Sequence, residues 1–442
     1  MKKIISRIIL NYFRFFARLQ LQKNKDGTII GITGSDGKTS TRLALVQILK
    51  THGIVKHSSY ANSESGISLN ILGLRPNNYS LLDWVRLIIL APLQLLTNQE
   101  KYKYYVVEMG IDSPDAPKNM SYLLSIIHPH VGVVLNANLA HSQNFDYLVK
   151  DTSPLRRMEK LINLIAKEKM QLAKGIGKSG VAIVNLDQKE FARGCKDVSE
   201  RLITFGKSGD ADLKILAATV TSHGFNFRFS YQSQNYQLTL KDIFPEHFAY
   251  TFAAAIAAAA AIGIPPSISL RGLANFRAPA GRMRIFAGQN NSTIIDSSYN
   301  ASPSVMQSSL KLLKHLAGNR KKIAVIGDMR ELGLSAKLVH KNLADWLTQY
   351  TDEAILFGEL TKMYTLPVLE SFKFKVHHFV HMTELISYLR STIKPKSYIL
   401  FKGSQNKLYL ERAVQAVLAD PRDVSQLCRR GHYWDRRRAQ TI

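Results

Sequence analysis

At 442 residues the chain is long enough for two to four domains, each with its own core, and its 45% apolar and 21% charged content is that of an ordinary globular protein. The 59 basic and 33 acidic residues leave a net charge of +26, which suits an anionic membrane face or anionic small molecules. With no RNA-recognition or zinc-finger signature, nucleic acid is not an expected partner.

The first segment, MKKIISRIILNYFRFFARLQLQ, places Ile4, Ile5, Ile8, Ile9, Tyr12, Phe13, Phe16 and Leu19 on one helical face, with Arg7, Arg14 and Arg18 largely off it. It lacks a small-residue cleavage site and carries arginines inside its apolar stretch, so it is neither a signal peptide nor a spanning helix. An interfacial membrane helix and a helix docked on the protein's own core fit it equally.

Residues 28–41, TIIGITGSDGKTST, follow. The β-branched Ile29, Ile30 and Ile32 read as a buried strand, Gly31, Gly34 and Gly37 as a tight loop, and Lys38, Thr39 and Ser40 as the opening of an apolar-periodic helix. Such a loop wraps backbone N–H groups around a polyphosphate at a helix N-terminus. Gly34, Ser35, Asp36, Gly37, Lys38, Thr39 and Ser40 are therefore expected to bind nucleotide, Lys38 as a point charge and Thr39 as a Mg²⁺ ligand. Ile32 stands where the general phosphate-loop pattern has its first glycine.

Further on, WVRLIILAPLQLL (84–96) is too short to span a membrane and is interrupted by Arg86 and Pro92. A core helix is the favoured reading there and membrane contact the second. Strands are expected at 104–108, 131–136, 181–185, 293–297, 323–327, 354–358 and 398–402, an antiparallel flap at 211–240, and an alanine-rich helix from 251 to Gly263. Strands alternating with helical patterns give an α/β chain. Its mostly parallel central sheet is of phosphate-loop (P-loop) type, and a smaller Rossmann-like α/β C-terminal domain follows. The expected units are a basic amphipathic leader (1–27), a nucleotide domain (28–277), a second domain (278–420) and a basic tail (421–442), polar and mobile. Two distant cysteines, Cys195 and Cys428, exclude a disulfide framework and favour a reducing cytoplasm. They are expected to be one buried thiol and one incidental tail thiol.

The T-G-x-x-G-K-T spacing resembles that of the Mur ligase and folylpolyglutamate synthetase superfamily. Further segments extend the likeness in order: EMG with Glu108, HPHVGVVLNANLAHSQNF, LIAKEKMQLAKGI, RAPAGRMR, DSSYNASP, GDMRELG and ILFKGSQNKLYLE. Over residues 28–415 the chain is most similar to the branch that adds D-alanyl-D-alanine to a UDP-N-acetylmuramoyl-tripeptide in peptidoglycan synthesis. The resemblance implies an ATP-dependent ligase working through an acyl phosphate, with ATP and two Mg²⁺ ions. Lys38, Lys169 and His141 would be catalytic. Thr39, Glu108, His141 and Lys169 would hold metal, Lys169 as a carbamate with Lys167 in reserve. Arg282 and Asp296 would meet the nucleotide's phosphates and ribose, and Asn136, Asp328, Glu331, Lys402, Gly403 and Ser404 the substrates. The partners implied are small molecules, the nucleotide-sugar peptide and D-alanyl-D-alanine, acting on a cytoplasmic monomer.

Three departures qualify the likeness. The family branch normally starts with a separate UDP-sugar domain, which is expected to be missing or rebuilt here. The family's G-x-H-N-x-x-N near the adenine reads Pro245-Glu246-His247-Phe248-Ala249-Tyr250-Thr251. Phe248 either stacks on a base or fills core, and adenine selection stays open. Extra residues at about 74–100 include the apolar 84–96 run. Residues 1–25 and 84–96 together suggest peripheral contact with the inner membrane face and a lipid-linked acceptor. Two alternatives remain: a related ligase with another acceptor, and a membrane-associated ATP-binding scaffold without catalysis.

Overall fold

The β-branched run at residues 28–33 forms the middle of a sheet because it is apolar on both faces, the pattern of a parallel strand covered on both sides. The computed structural model describes residues 2–439 apart from 60, 178, 199–200 and 405–406. Among these, nine strands make the first sheet: Thr28–Thr33 (β1), Val55–His57 (β2), Tyr104–Glu108 (β3), Val131–Val134 (β4), Val181–Asn185 (β5), Arg201–Gly206 (β6), Leu213–Thr221 (β7), Gly224–Tyr231 (β8) and Gln234–Leu240 (β9). Their order is β2-β3-β1-β4-β5-β6-β7-β8-β9. Pairing is parallel as far as β7, and β7-β8-β9 form the expected antiparallel flap.

The second sheet holds Arg284–Gly288 (β10), Ser292–Ser297 (β11), Lys322–Gly327 (β12), Glu353–Phe357 (β13), Val376–Phe379 (β14) and Tyr398–Lys402 (β15), in the order β10-β11-β15-β12-β13-β14. It is parallel except for the edge pair β10–β11. The fold is thus α/β, with a large mostly parallel sheet followed by a smaller one. The alanine-rich helix Phe248–Ala261 is buried along nearly its whole length against the helix Lys38–Leu49. Its small side chains let the two backbones come close.

The first helix, Lys2–Gln22 (α1), docks on the protein. Phe13 and Ala17 are fully buried, and Phe13 packs with Leu69, Leu72, Leu87 and Ala91. The helix Leu81–Thr97 (here the apolar helix) runs parallel beside it: the Tyr12 hydroxyl donates to the Ile88 carbonyl at 2.9 Å and Gln20 to the Asn98 carbonyl at 2.9 Å. The apolar helix is not the expected core helix. Only Asp83, Leu87 and Ala91 are buried along it, while Leu82, Val85, Ile89, Leu93 and Leu96 recur at helical spacing on an exposed face. Sequence apolarity marked the helix without marking which side is covered.

The segment after 424 is not a free polar tail. Leu427, Cys428 and Arg429 are buried, and a helix spans His432–Ala439. The tail thiol Cys428 is the buried one, and Cys195 is half-buried.

Docking of α1 gives a direct test. Phe13→Ala should destabilise the chain by about 3 kcal/mol, seen as a lower urea midpoint, because it leaves a cavity among closed neighbours. Phe15→Ala, at a 58% exposed position two residues on, should change stability by no more than about 0.5 kcal/mol.

Candidate functional site

Strand β1 ends between β3 and β4, with Ile32 beside Glu108 and Thr33 beside Val134. Connections leave β1 and return on both sides, so the crevice at its carboxyl end is where an open α/β sheet takes its ligand. The chain turns there through Gly34–Gly37 into the helix Lys38–Leu49. A Cβ on Gly34 would lie 2.9 Å from the Cβ of Leu135, so no side chain fits. Gly37 has φ 83°, the left-handed conformation that glycine adopts without cost. Asn136 braces the loop: its backbone carbonyl accepts from Ser35 N at 2.9 Å and its side-chain oxygen from Asp36 N at 2.8 Å. It therefore works on the loop itself rather than standing free for a substrate.

Lys38 folds its ammonium over the loop carbonyls of Gly34 (2.5 Å) and Ser35 (3.2 Å), and burial lowers its pKa. The Thr39 hydroxyl donates to Glu108 Oε2 at 3.1 Å, and Arg42 Nε reaches Glu108 Oε1 at 2.7 Å. Oxygens of Thr39 and Glu108 at that separation are spaced as adjacent ligands of an octahedral Mg²⁺ with bonds of about 2.1 Å. These residues fit the metal.

The second domain closes on the same loop. Asp36 Oδ2 accepts from Asn138 (2.5 Å), Ser302 (2.8 Å) and Ser304 (3.0 Å), while Arg282 donates to the Thr39 hydroxyl at 3.3 Å. Across the same boundary His141 Nδ1 meets Glu331 Oε2 at 2.6 Å, with Asp112 at 3.6 Å. A glycine loop, a carboxylate beside it and a guanidinium delivered from the second domain are brought together here, a set of groups whose chemistry suits a polyphosphate.

Family models match this layout in both halves: the Mur ligase middle domain over residues 32–259 and the Mur ligase, glutamate ligase domain over 281–405. The chain belongs to the Mur ligase family. Among its relatives, a UDP-N-acetylmuramoyl-tripeptide--D-alanyl-D-alanine ligase of Rickettsia prowazekii is 27% identical over 90% of this chain and 80% of its own length. The Bacillus subtilis protein of the same name is 26% identical over 89% of this chain and 76% of its own. The fold is shared with MurF of Acinetobacter baumannii (TM-score 0.74, 23% identity, 92% of this chain and 79% of that one). It is shared too with the MurF ligase of Thermotoga maritima in complex with ADP (TM-score 0.72, 22% identity, 92% and 83%).

Within this Mur ligase framework the remaining residues sort by location. Lys169 is buried on the helix Pro154–Lys174, and burial followed by the Lys38 charge brings its pKa to about 7. A neutral amine is what CO₂ can carbamylate, so the chemistry of this position fits that modification; Lys167, by contrast, is exposed. Asp296 is fully buried. One oxygen accepts from Ser298 N at 3.0 Å and Oδ2 has no partner among the described residues, an orphan suited to a ribose hydroxyl. Lys402, also buried, donates to Ser297 (3.1 Å) and the Asn300 carbonyl (3.0 Å), and burial brings its pKa to about 7.

Gly403 packs its Cα against Gly327, and Ser404 accepts from Arg330 N at 2.8 Å. Asp328 is turned to Thr361, whose N–H and hydroxyl donate at 2.8 and 3.1 Å, and so supports the second domain's own loops rather than the boundary. In the altered adenine segment Phe248 fills core, its ring 4.9 Å from that of Phe244, and Thr251 is buried. The base-stacking reading of Phe248 is therefore set aside.

Sequence reasoning missed Arg42, Asp112, Asn138, Ser302 and Ser304. Only Arg42 had a local signal, one helical turn after Thr39. No group of three or more His, Cys, Asp or Glu able to hold a metal by itself occurs among the described residues.

Two histidines at this site make stability depend on pH. Burial, with Arg42 next, lowers the pKa of His57 to about 4; burial lowers that of His247 to about 4 as well. The unfolded chain binds both protons near 6.5 and the folded chain does not, so stability falls as pH drops from about 6.5 to 4. Each ring contributes at most about 1.4 kcal/mol per pH unit, less because both keep some solvent contact. Urea unfolding at pH 7, 6 and 5 should show this slope, and His57→Gln combined with His247→Gln should flatten it.

Proposed function

We propose that this Mur ligase is an ATP-dependent amide-bond ligase that joins D-alanyl-D-alanine to a UDP-N-acetylmuramoyl-tripeptide as a cytoplasmic monomer. Residues 28–277 would carry nucleotide and acid, and 278–420 the incoming amine. The observation that carries the reading is the meeting of Lys38, Thr39, Glu108 and Arg282 around one loop, in a chain whose relatives bear that enzyme's name.

The acceptor's carboxylate oxygen attacks the γ-phosphorus of ATP. An acyl phosphate forms and ADP leaves. The amine nitrogen then attacks the acyl carbon, the C–O bond to phosphate breaks, and the amine's proton passes to a base. The main demand is on position and charge, since negative charge spreads over the transferring phosphoryl oxygens. Lys38 and Arg282 supply cations from opposite domains. Loop amides at the helix N-terminus point at the phosphates. Thr39 and Glu108 would hold one Mg²⁺, and His141 with a carbamylated Lys169 the second; the metal would neutralise phosphate oxygens. Lys402 would meet the carboxylate of the incoming dipeptide.

Lys38→Ala should lower amine-dependent phosphate release by at least about a hundredfold with its melting temperature unchanged. Release that needs D-alanyl-D-alanine, and not single amino acids, marks the proposed substrate. Parent-level turnover by Lys38→Ala would remove the loop from the mechanism.

A placement at the inner membrane face, with the acceptor presented near lipid, is favoured by one observation. Ile4, Ile5 and Ile8 are exposed on α1 and Leu82, Val85 and Ile89 on the neighbouring apolar helix, and Arg7 and Arg18 are exposed on α1 as well. Each such arginine near an anionic leaflet contributes about 1 kcal/mol. No helix among the described residues is long and apolar enough to cross a membrane. The chain should float with vesicles containing phosphatidylglycerol. A variant with Ile4, Ile8, Leu82 and Ile89 all changed to Gln should stay below them, and equal flotation of the two would exclude this face.

A further inference from the structure

Residues 427–439 lie beyond the stretch covered by the family models, yet they reach the nucleotide side of the second domain. Arg429 is the centre of that contact. Its side chain is 1% exposed and pairs at 2.7 Å with Glu411, itself 0% exposed. Its backbone is left-handed, φ 55°, a conformation that persists in a non-glycine residue only when its surroundings enforce it. The guanidinium lies over the ring of Tyr299, 5.0 Å from the centroid, and also donates to the Tyr299 carbonyl. Arg282 lies over the same ring at 4.5 Å, and it is Arg282 that reaches Thr39 of the loop.

Two like charges share one aromatic ring, then, and one of them is neutralised by a buried carboxylate. A buried ion pair is a poor device for adding stability; its better-attested use is to fix one arrangement among several. Neighbouring contacts point the same way. A Cβ on Gly281, the residue before Arg282, would lie 2.8 Å from Cys428 Sγ, so the tail packs directly on the turn that carries Arg282. Tyr433 then meets Tyr79 of the first domain with ring centroids 5.9 Å apart, so the segment also crosses the domain boundary.

We propose that residues 427–439 form a strap in which Arg429, anchored on Glu411, is a positioning residue: it holds Tyr299, and through it Arg282, over the phosphate loop. The strap acts on nucleotide binding and leaves recognition of the amine alone. The inference rests on the reading of the loop as the nucleotide site, and the controls below separate the two.

The test uses the full chain and ADP with Mg²⁺ in isothermal titration calorimetry. Arg429→Gln combined with Glu411→Gln removes both charges and leaves none buried alone. This pair should bind ADP about tenfold more weakly and raise the KM for ATP likewise, with the KM for D-alanyl-D-alanine unchanged. Arg429→Lys keeps the ion pair without the planar group and should recover part of the affinity. In a cycle with Arg282→Met, the strap changes should add nothing once Arg282 is gone.

ADP affinity within twofold of the parent, or losses that add fully to those of Arg282→Met, would overturn the strap. If the double Gln variant does not fold, Arg429→Lys and its cycle with Arg282→Met decide the matter by the same criteria. Lys38→Ala is measured alongside. If it binds ADP as the parent does, the loop reading fails whatever Arg429 does. If it loses ADP while the Arg429 variants keep it, the strap alone fails.

Discussion

Everything at the site follows from where β1 stops. Parallel pairing with β3 on one side and β4 on the other brings Glu108, Gly34 and Asn136 to one edge, and the crossovers leave in opposite directions. Leu135 presses on Gly34 so closely that the chain must turn there as bare backbone. The Thr39–Glu108 contact and the turn of the glycine loop thus depend on the same strand end.

A single loop cannot neutralise a triphosphate, and the second sheet answers that need. Asp36 takes hydrogen bonds from Asn138 on its own domain and from Ser302 and Ser304 on the other, so the loop is also where the two domains meet. The same boundary sets Arg282 beside Thr39 and Glu331 against His141. Lys38, Lys169 and Lys402 are all buried enough for their proton affinity to fall. Burial thus favours the neutral form of each of these amines, which suits Lys169 to carbamylation.

What could be read from residues alone was what local geometry dictates. The strand, glycine loop and helix of residues 28–49 are adjacent in sequence, and their chemistry needs no distant partner to be recognised. Parallel strands showed as unbroken β-branched runs because both faces are covered. Asp112, Ser304 and Arg429 were not legible, since each matters through a neighbour tens to hundreds of positions away. Phe248 kept two meanings until the ring of Phe244 was found against it. The tail misled through composition: its arginine run looked like solvated charge, while Leu427, Cys428 and Arg429 carry the packing.

The apolar helix 81–97 misled for a different reason, and that reason bears on its use. A helix that is apolar all round belongs in a core or in lipid. Here α1 and the fold beneath it bury the strip of Asp83, Leu87 and Ala91 and partly cover Trp84, Ile88 and Leu90. Phe13, Tyr12 and Gln20 lock the two helices side by side, so the outer strip cannot rotate inward to escape water. Rigid presentation of that much apolar surface is uncommon on a protein that stays alone in solution. The cost of exposure recurs at Leu82, Ile89 and Leu96, each more than 60% exposed, while the inner contacts hold the strip in place. Docking by one face thus fixes the other face outward.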